Sequence, residues 1–210
     1  MKVLLVNGSP HAKGCTYTAL AEVAKTLNEE HITTEIFQIG TKPVSGCIAC
    51  GHCQKYGTCV FDDCVNEFVA LAKDADGFVF GSPVHYAAAS GAITSFLDRV
   101  FYSNASSGQN VFYLKPAACV VSARRAGTTA AFEQLNKYLT ISEMPVISSR
   151  YWNMVHGISP DDVKKDLEGL QVMRILGRNM AWFLKCKEAG IKAGIPFPKQ
   201  EEHIATNFVR

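Results

Sequence analysis

The sequence predicts an α/β fold built on a doubly wound parallel sheet, and three observations lead to this prediction. Residues 3–6 form a short, continuous apolar run, which is typical of a strand buried on both faces. A polar turn at residues 7–10 ends that strand, and apolar residues then recur at helical spacing between Leu20 and Leu27. The same order of buried strand, polar loop and helix returns along the chain, as expected of repeated βαβ units.

Five parallel strands and the helices between them account for most of the chain. The strands are expected at residues 3–6, 33–39, 76–80, 117–122 and 144–147. Residues 33–39 alternate apolar and polar side chains, which indicates a strand at the edge of the sheet. The helices are expected to begin near Cys15, Val65, Gly91, Thr128 and Pro160. Asp63 caps the second helix, the third ends near Phe101, and the last runs to Lys187.

The loop after the first strand combines hydroxyl groups with nearby positive charge. The hydroxyls belong to Ser9, Thr16, Tyr17 and Thr18, and the positive charge to His11 and Lys13. The backbone N–H groups of residues 14–16 stand at a helix start, where unpaired donors and the helix dipole favour a phosphate. The spacing matches neither G-x-G-x-x-G nor a Walker A motif. The alternative is an ordinary βα turn whose hydroxyls cap the helix.

Two further loops follow buried strands and are expected beside the first, where doubly wound folds bind ligands. Residues 81–86 contain Pro83, which fixes the backbone, followed by apolar surface and exposed N–H groups. Residues 122–127 contain Arg124 and Arg125, which are either solvated charges or stabilise negative charge on a bound group. The asparagine- and serine-rich segment within residues 102–113 is expected to be a flexible loop over the substrate side.

The most distinctive local pattern is a C-x2-C-x2-C-x5-C array within residues 44–60. Its members are Cys47, Cys50, Cys53 and Cys59. Clustered thiolates at this spacing can converge on one soft metal site, either a [4Fe–4S] cluster or zinc. Glycines at 46, 51 and 57 let the loop wrap closely. The other four cysteines, Cys15, Cys64, Cys119 and Cys186, are interpreted as small hydrophobic residues, although Cys15 also lies in the first loop.

The 210 residues suit one α/β domain with an extra helix or arm. A net charge of +2 points to neither nucleic acid nor an acidic membrane surface as a partner. Residue 2 leads straight into a strand, and no apolar run has transmembrane length, so neither a signal peptide nor a membrane span is expected and the predicted location is cytoplasmic. Eight cysteines there indicate metal or redox chemistry rather than disulfides.

The motifs together resemble those of the NADPH-dependent FMN reductase family, which is related to flavodoxin. Residues 7–18, NGSPHAKGCTYT, resemble the GSPR-x-x-G-N-T phosphate loop, with His11 where an Arg is usual and Cys15 where an Asn or Ser is usual. Residues 81–99 and SARRAG at residues 122–127 match two further stretches in the same order. The cysteine spacing resembles that of the iron–sulfur flavoproteins, a branch of this family in which the loop holds a [4Fe–4S] cluster.

The resemblance implies a flavodoxin-like strand order 2-1-3-4-5. It implies an FMN-binding domain at residues 1–150 and, within the same domain, a C-terminal helix and oligomerisation arm at residues 151–210. The residues expected to bind FMN are Ser9, His11, Lys13, Gly14, Cys15, Thr16, Tyr17, Pro83, Val84, His85, Tyr86, Ser122, Ala123, Arg124 and Gly127. The flavin performs the chemistry, with His85, Tyr86 and Arg124 as candidate catalytic residues. The pair Asp98-Arg99 is expected to be structural.

The implied activity is an FMN-dependent oxidoreductase that passes electrons from NAD(P)H to a quinone, a flavin or an azo compound. One alternative is an iron–sulfur flavoprotein electron carrier that is reduced by ferredoxin, and another is a non-catalytic flavin-binding protein. The cysteines are either cluster ligands or residues that shape the flavin pocket. The family places FMN near a subunit interface, so a homodimer or homotetramer is expected, with Phe197, Ile204 and Phe208 in the arm that packs on a neighbour.

Overall fold

The computed structural model of the chain describes residues 1–202 and 204–206, and its centre is a parallel sheet. The strands in those residues are β1 (Lys2–Asn7), β2 (Thr33–Gln38), β3 (Gly77–His85), β4 (Ala88–Ala89), β5 (Ala117–Ala123) and β6 (Met154–His156). The sheet order is β2-β1-β3-β5-β6, and β4 pairs antiparallel with the end of β3. This is the predicted doubly wound, flavodoxin-like topology, with β6 in the place of the fifth parallel strand.

Helices cover both faces of the sheet. They are α1 (Cys15–Glu29), α2 (His52–Tyr56), α3 (Cys64–Ala72), α4 (Gly91–Ser106), α5 (Thr128–Ile141), α6 (Pro160–Lys165) and α7 (Leu167–Lys192). The side chains of β1 pack alternately on the two faces of the sheet. Val3 and Leu5 pack with α1, α6 and α7. Leu4 and Val6 pack with α3, α4 and α5. All four side chains are fully buried, as their continuous apolar run predicted. The strand β1 is therefore an inner strand, and it pairs with β2 on one side and β3 on the other.

The fifth strand does not lie at residues 144–147, as predicted, but at β6. Residues 144–147 form only an isolated parallel bridge between Ala117 and Val146. Pro145 has no N–H group, so it limits the ladder this segment can form. The chain then leaves the sheet and returns as β6, which pairs with the end of β5 from Val121 to Ala123.

Four other predicted boundaries are wrong, and one of them is the end of the C-terminal helix, which reaches Lys192 rather than Lys187. The strand β3 continues through Pro83 to His85, so the second loop begins later than expected. Helix α4 runs to Ser106 rather than ending near Phe101, so the start of the predicted flexible loop is helical. The long C-terminal helix is two helices, because the Asp166 carboxylate accepts hydrogen bonds from the N–H groups of Gly169 (2.9 Å) and His156 (2.7 Å) and starts a new helix.

Helix α7 packs along α1, and the apolar stripe predicted for this helix belongs to the core. Met173, Leu176 and Met180 are fully buried there. No described helix is long and apolar enough to cross a membrane. The segment after α7 leaves Ile195, Phe197 and Ile204 exposed, and the predicted arm residue Phe208 lies outside the described residues. Cys119 is buried as expected, but Cys186 is exposed.

Candidate functional site

Three segments meet at the carboxyl edge of the sheet, and we call them together the cofactor edge: residues 8–17, 81–90 and 122–127. The first two touch through their backbones, since the Gly8 N–H donates to the Gly81 carbonyl at 2.9 Å. A Cβ atom on Gly8 would lie 2.7 Å from that oxygen, so only glycine allows this approach. The Ser90 hydroxyl, which caps α4, donates to the Gly8 carbonyl at 3.2 Å.

The third segment closes against the other two. Gly127 has φ +92°, and a Cβ atom there would lie 2.5 Å from the Ala87 Cα atom, so this position requires glycine. The hydroxyls of Thr16 and Ser122 share a hydrogen bond of 2.8 Å, and both side chains are buried. The structure therefore brings together all three predicted segments, although they are far apart in the sequence.

The polar residues that end β1 and β2 hold the first segment, and this role was not predicted from the sequence. The Asn7 side chain accepts from the Ser9 N–H at 3.1 Å and donates to Gln38 Oε1 at 2.6 Å. Gln38 Nε2 donates in turn to the Ser9 carbonyl at 2.7 Å. Asn7 and Gln38 pair in register as the last residues of adjacent strands. Two polar residues ending neighbouring strands are the signal that would have found them.

The start of α1 offers donors to an anion. Gly14 is the N-cap, and no side chain of the described residues caps this end, so the N–H groups of the first turn have no capping side chain. The exposed side chains of His11 and Lys13 lie on the same loop, and the first turn has no acidic residue. The Thr18 hydroxyl donates to the Gly14 carbonyl at 3.0 Å, so it is occupied locally. These features fit a phosphate group.

Cys15 opens α1 but carries no charge to repel an anion. Burial raises the pKa of its thiol above the ordinary value, so the group is neutral at physiological pH. Its sulfur donates to the Gly157 carbonyl at 3.7 Å. The end of β6 thus borders the cofactor edge, and the Gly157 N–H donates to the Ala123 carbonyl at 3.0 Å. Gly157 was not predicted to border this site, because the fifth strand was expected earlier in the sequence, at residues 144–147.

The hairpin between β3 and β4 presents a partly apolar surface beside this cradle. Pro83 and Val84 are half-buried, whereas His85 and Tyr86 are exposed. Tyr86 and Ala87 have φ of +48° and +60°, so the tip of the hairpin has a left-handed backbone. The predicted Arg124 is exposed on the neighbouring segment, as is the arginine after it. A flat ring placed here would meet apolar side chains and reach positive charge.

The cysteine loop, residues 44–60, forms a second site. Its four predicted ligands line one cavity together with Ile48, Gly51, Val60, Phe61, Arg99, Tyr102 and Ser103. Cys47 and Cys50 are exposed, Cys53 is buried and Cys59 lies between these extremes. Across residues 1–202 and 204–206, no three His, Cys, Asp or Glu side chains are grouped tightly enough for a single metal ion. What the four cysteines share is the lining of this cavity.

Side chains from α3 and α4 hold the cysteine loop in place. Arg99, which is 1% exposed, forms an ion pair with Asp63 through bonds of 2.7 and 2.9 Å, and its Nε donates to Cys59 Sγ at 3.2 Å. The Asn66 side chain accepts from the Cys59 N–H at 2.9 Å and donates to two carbonyls of the same turn. The predicted structural role of Arg99 is therefore confirmed.

The ion pair changes the acidity of its carboxylate. Burial alone would raise the pKa of Asp63, but hydrogen bonds from the Arg99 guanidinium and the Val65 N–H outweigh it, and the pKa lies below its ordinary value. Asp63 also caps α3, as predicted, through that Val65 N–H at 3.1 Å. The carboxylate is thus charged at physiological pH and keeps Arg99 oriented.

A broader groove of about 650 Å³ adjoins the cavity and shares Cys47 and Tyr102 with it. Its walls include Asp98 from α4 and Tyr138 from α5, whose hydroxyl donates to the Asp98 carboxylate at 2.5 Å. Burial raises the pKa of Tyr138, and this hydrogen bond raises it further. The predicted substrate-side segment, residues 102–113, supplies part of the lining. This segment therefore borders the cysteine loop.

Comparisons with known proteins identify the family of the chain. The model of the family described as NADPH-dependent FMN reductase matches residues 1–158. An iron–sulfur flavoprotein of Methanocaldococcus jannaschii is 30% identical over 194 residues, which cover 88% of this chain and 98% of the relative. A second iron–sulfur flavoprotein of that organism is 27% identical and covers 83% and 92% of the two chains.

Solved structures support the fold. An archaeal flavodoxin superposes with a TM-score of 0.58 at 15% identity, covering 88% of this chain and 99% of the flavodoxin. An NAD(P)H:quinone oxidoreductase from Methanothermobacter marburgensis gives 0.61 at 17% identity, covering 86% and 98%. At such low sequence identity, the solved structures support only the fold. The family assignment rests on the family model, which matches most of the sequence. The chain belongs to the NADPH-dependent FMN reductase family, in which it resembles the iron–sulfur flavoproteins, and it is a flavoprotein oxidoreductase.

Proposed function

We propose that this oxidoreductase holds two redox centres, FMN at the cofactor edge and a [4Fe–4S] cluster on the cysteine loop. The observation that carries the proposal is that Cys47, Cys50, Cys53 and Cys59 all line one cavity. Such a protein exchanges electrons with a one-electron carrier such as a ferredoxin and passes them to a small-molecule acceptor.

The residues of the cofactor edge fit FMN. The open N–H groups at the start of α1, with His11 and Lys13 nearby, would hold its phosphate. The half-buried Pro83 and Val84 would pack against the ring, and Arg124 would face its polar side. When bound, FMN supplies both hydride and single-electron transfer. The protein contributes binding, orientation and positive charge.

The cysteine loop fits a cluster by its donor set and its surroundings. Four sulfur ligands are the set that [4Fe–4S] clusters use. A cubane cluster is wider than a single ion, so its ligands surround a space rather than meet at a point. Arg99 is the only charged side chain among the described residues that line the cavity, and a positive charge favours thiolates. Ile48, Val60 and Phe61 add an apolar wall.

Metal analysis tests the cluster. After anaerobic purification and reconstitution, we expect about four iron and four sulfide per chain, bound by the four thiolates. Cys50→Ala should abolish this iron while FMN remains bound. The matched control is Cys186→Ala, which changes an exposed cysteine on α7 and should leave the iron unchanged. Iron-free protein that still binds FMN, or protein loaded with zinc, would contradict the proposal.

A second candidate function is direct reduction by NADH or NADPH. The specific observation in its favour is the pair Arg124 and Arg125, both exposed beside the hairpin, since arginine pairs suit the phosphates of a dinucleotide. Stopped-flow mixing separates the candidates. Rapid flavin bleaching by reduced ferredoxin alone supports the electron carrier, bleaching by NAD(P)H supports the reductase, and no bleaching by either donor indicates a non-catalytic flavin-binding protein.

We also propose that the chain forms a homodimer or homotetramer through its C-terminal part. Large apolar side chains are exposed along the end of α7 and the segment after it, namely Trp182, Ile191, Ile195, Phe197 and Ile204. Exposed apolar patches of this kind mark contacts with another chain. Removal of residues 195–210 should lower the number of chains per particle, obtained from the particle mass measured by light scattering and the mass of the shortened chain. An unchanged number of chains would contradict the proposed role of the arm.

A further inference from the structure

We propose that Arg99 is a positioning residue for the cysteine loop: its Nε–H group holds the Cys59 sulfur and its positive charge raises the reduction potential of the cluster. This inference rests on the proposed function, because it concerns the cluster that the cysteines would bind. It goes further in assigning to one arginine a redox role in addition to its structural one.

The guanidinium divides its donors between two tasks. Both Nη atoms bond to the Asp63 carboxylate, at 2.7 and 2.9 Å, and also reach the carbonyls of Ser45 and Phe61. The remaining donor, Nε, points to Cys59 Sγ at 3.2 Å. The guanidinium lies 4.8 Å from the centre of the Phe61 ring, which covers one of its faces. The side chain is therefore held firmly, and its Nε–H group donates to the sulfur of a predicted ligand.

Stability alone gives a weak reason for this arrangement. Desolvating two charges costs free energy that their attraction often fails to recover, so a buried ion pair is frequently no better than apolar packing. The Arg99 side chain is fully buried, whereas that of Asp63 is 31% exposed, so Arg99 bears most of this cost. What an apolar residue lacks is an N–H donor at the Cys59 sulfur.

The expected direction follows from electrostatics. Reduction adds a negative charge to a cluster, and hydrogen bonds to its sulfur atoms together with nearby positive charge stabilise the reduced form. Nε faces Cys59, whereas Asp63 contacts the Nη atoms. The positive end of the pair is thus directed at the sulfur, so even the neutral pair should raise the potential.

Redox titration of the reconstituted protein, followed by electron paramagnetic resonance, tests the inference with two variants. The double variant Arg99→Met/Asp63→Asn removes both charges and the donor but retains side-chain volume. It should lower the reduction potential by at least about 59 mV, which corresponds to a tenfold change in the equilibrium constant of a one-electron reduction. Asp63→Asn alone leaves Arg99 unpaired and should raise the potential. Arg174→Gln, which breaks the remote ion pair with Glu22, is the control and should leave it unchanged.

Shifts of opposite sign are the supporting result, because general loosening of the loop would move both variants in the same direction. Unshifted potentials, or shifts of one sign, would overturn the inference. If the double variant does not retain iron, Asp63→Asn decides: a rise supports the inference, whereas no change or a fall overturns it. Iron-free wild-type protein would overturn the proposed function and this inference together. Iron-loaded wild-type protein with unshifted variants would overturn this inference alone.

Discussion

The cofactor edge and the cysteine loop are held in place by different kinds of contact. At the cofactor edge, the segments approach each other closely through backbone atoms, at Gly8 with Gly81 and at Gly127 with Ala87, and side-chain hydrogen bonds add to these contacts. The cysteine loop is fixed mostly by the side chain of Arg99 and by that of a neighbouring asparagine. Backbone contacts depend on the absence of side-chain atoms, whereas side-chain contacts depend on particular functional groups.

This difference predicts separate sensitivities. An added methyl group should damage the cofactor edge, and loss of an amide or a guanidinium should damage the cysteine loop. Each change should spare the other site, because the contacts that hold the two regions come from different residues. Substitutions in each region test this separation, and the largest effect is expected at Gly127.

Gly127→Ala should have the largest effect and should act on FMN binding. The new Cβ atom would lie 2.5 Å from the Ala87 Cα atom, and the backbone keeps φ +92°. A left-handed conformation at a non-glycine residue costs about 1–3 kcal/mol, and the backbone clash adds to that cost. Because each 1.4 kcal/mol corresponds to about a tenfold change in affinity, FMN titration by fluorescence quenching should show at least tenfold weaker binding. The iron content should not change.

Two glycines separate the causes. Gly108 also has a positive φ, +72°, but a Cβ atom there meets nothing within 4 Å, so Gly108→Ala introduces strain without a clash. Gly91, at the first position of α4, has open space and no positive φ, so Gly91→Ala should be tolerated. FMN affinity equal in Gly127→Ala and Gly108→Ala would mean that contact between the hairpin and the third segment does not shape the pocket.

Asn66→Ala should have a moderate effect, confined to the cysteine loop. The change removes three hydrogen bonds, one from the Cys59 N–H and two to the carbonyls of Cys59 and Phe61. At about 0.5–1.5 kcal/mol each, their loss should let the loop open more often. We expect anaerobic release of iron to a chelator to become several-fold faster, with FMN affinity unchanged. The control is Asn28→Ala, which changes an exposed asparagine of α1; equal release rates in the two variants would contradict the prediction.

The fold was predictable because its signal is local. The buried run of residues 3–6 and the helical spacing after it are visible within single windows of sequence. The misplaced strand shows the limit of such windows: residues 144–147 are as apolar as a strand, whereas β6 has only three residues. Its position is set by pairing with β5, and a local pattern contains no information about that pairing.

The residues of the candidate site were predictable where they belong to a recognisable sequence motif. The glycines, hydroxyls and cysteines all lie in short motifs, but the contacts that hold them join distant positions. The bond from Arg99 to Cys59 spans 40 residues, and that between Thr16 and Ser122 spans 106. Spacing along the chain says nothing about such contacts. Gln38 was missed for the same reason, since its role depends on the register between β1 and β2.

The smallest predicted effect is a loss of folding stability at acidic pH that depends on Asp63. The folded pKa of Asp63 is lowered, chiefly by the Arg99 guanidinium acting against burial, so this carboxylate contributes stability above its unfolded pKa of about 3.9. That contribution is lost as the pH falls through the lower folded value. Asp63→Asn retains the ability to cap α3 and removes only the charge. Urea unfolding of iron-free protein should show the variant less stable by a constant amount from about pH 8 to 5, with the difference shrinking below about pH 4.

The neighbouring Asp62 provides the matched control, because it is exposed one position away on the same turn. Asp62→Asn should follow the wild-type protein across the whole pH range. A difference between Asp63→Asn and the wild type that does not shrink at all between pH 5 and pH 3 would mean that the variant acts through packing or capping rather than charge. In that case the cysteine loop would be fixed by the shape of the Asp63 side chain, and the contrast with the backbone-built cofactor edge would be weaker.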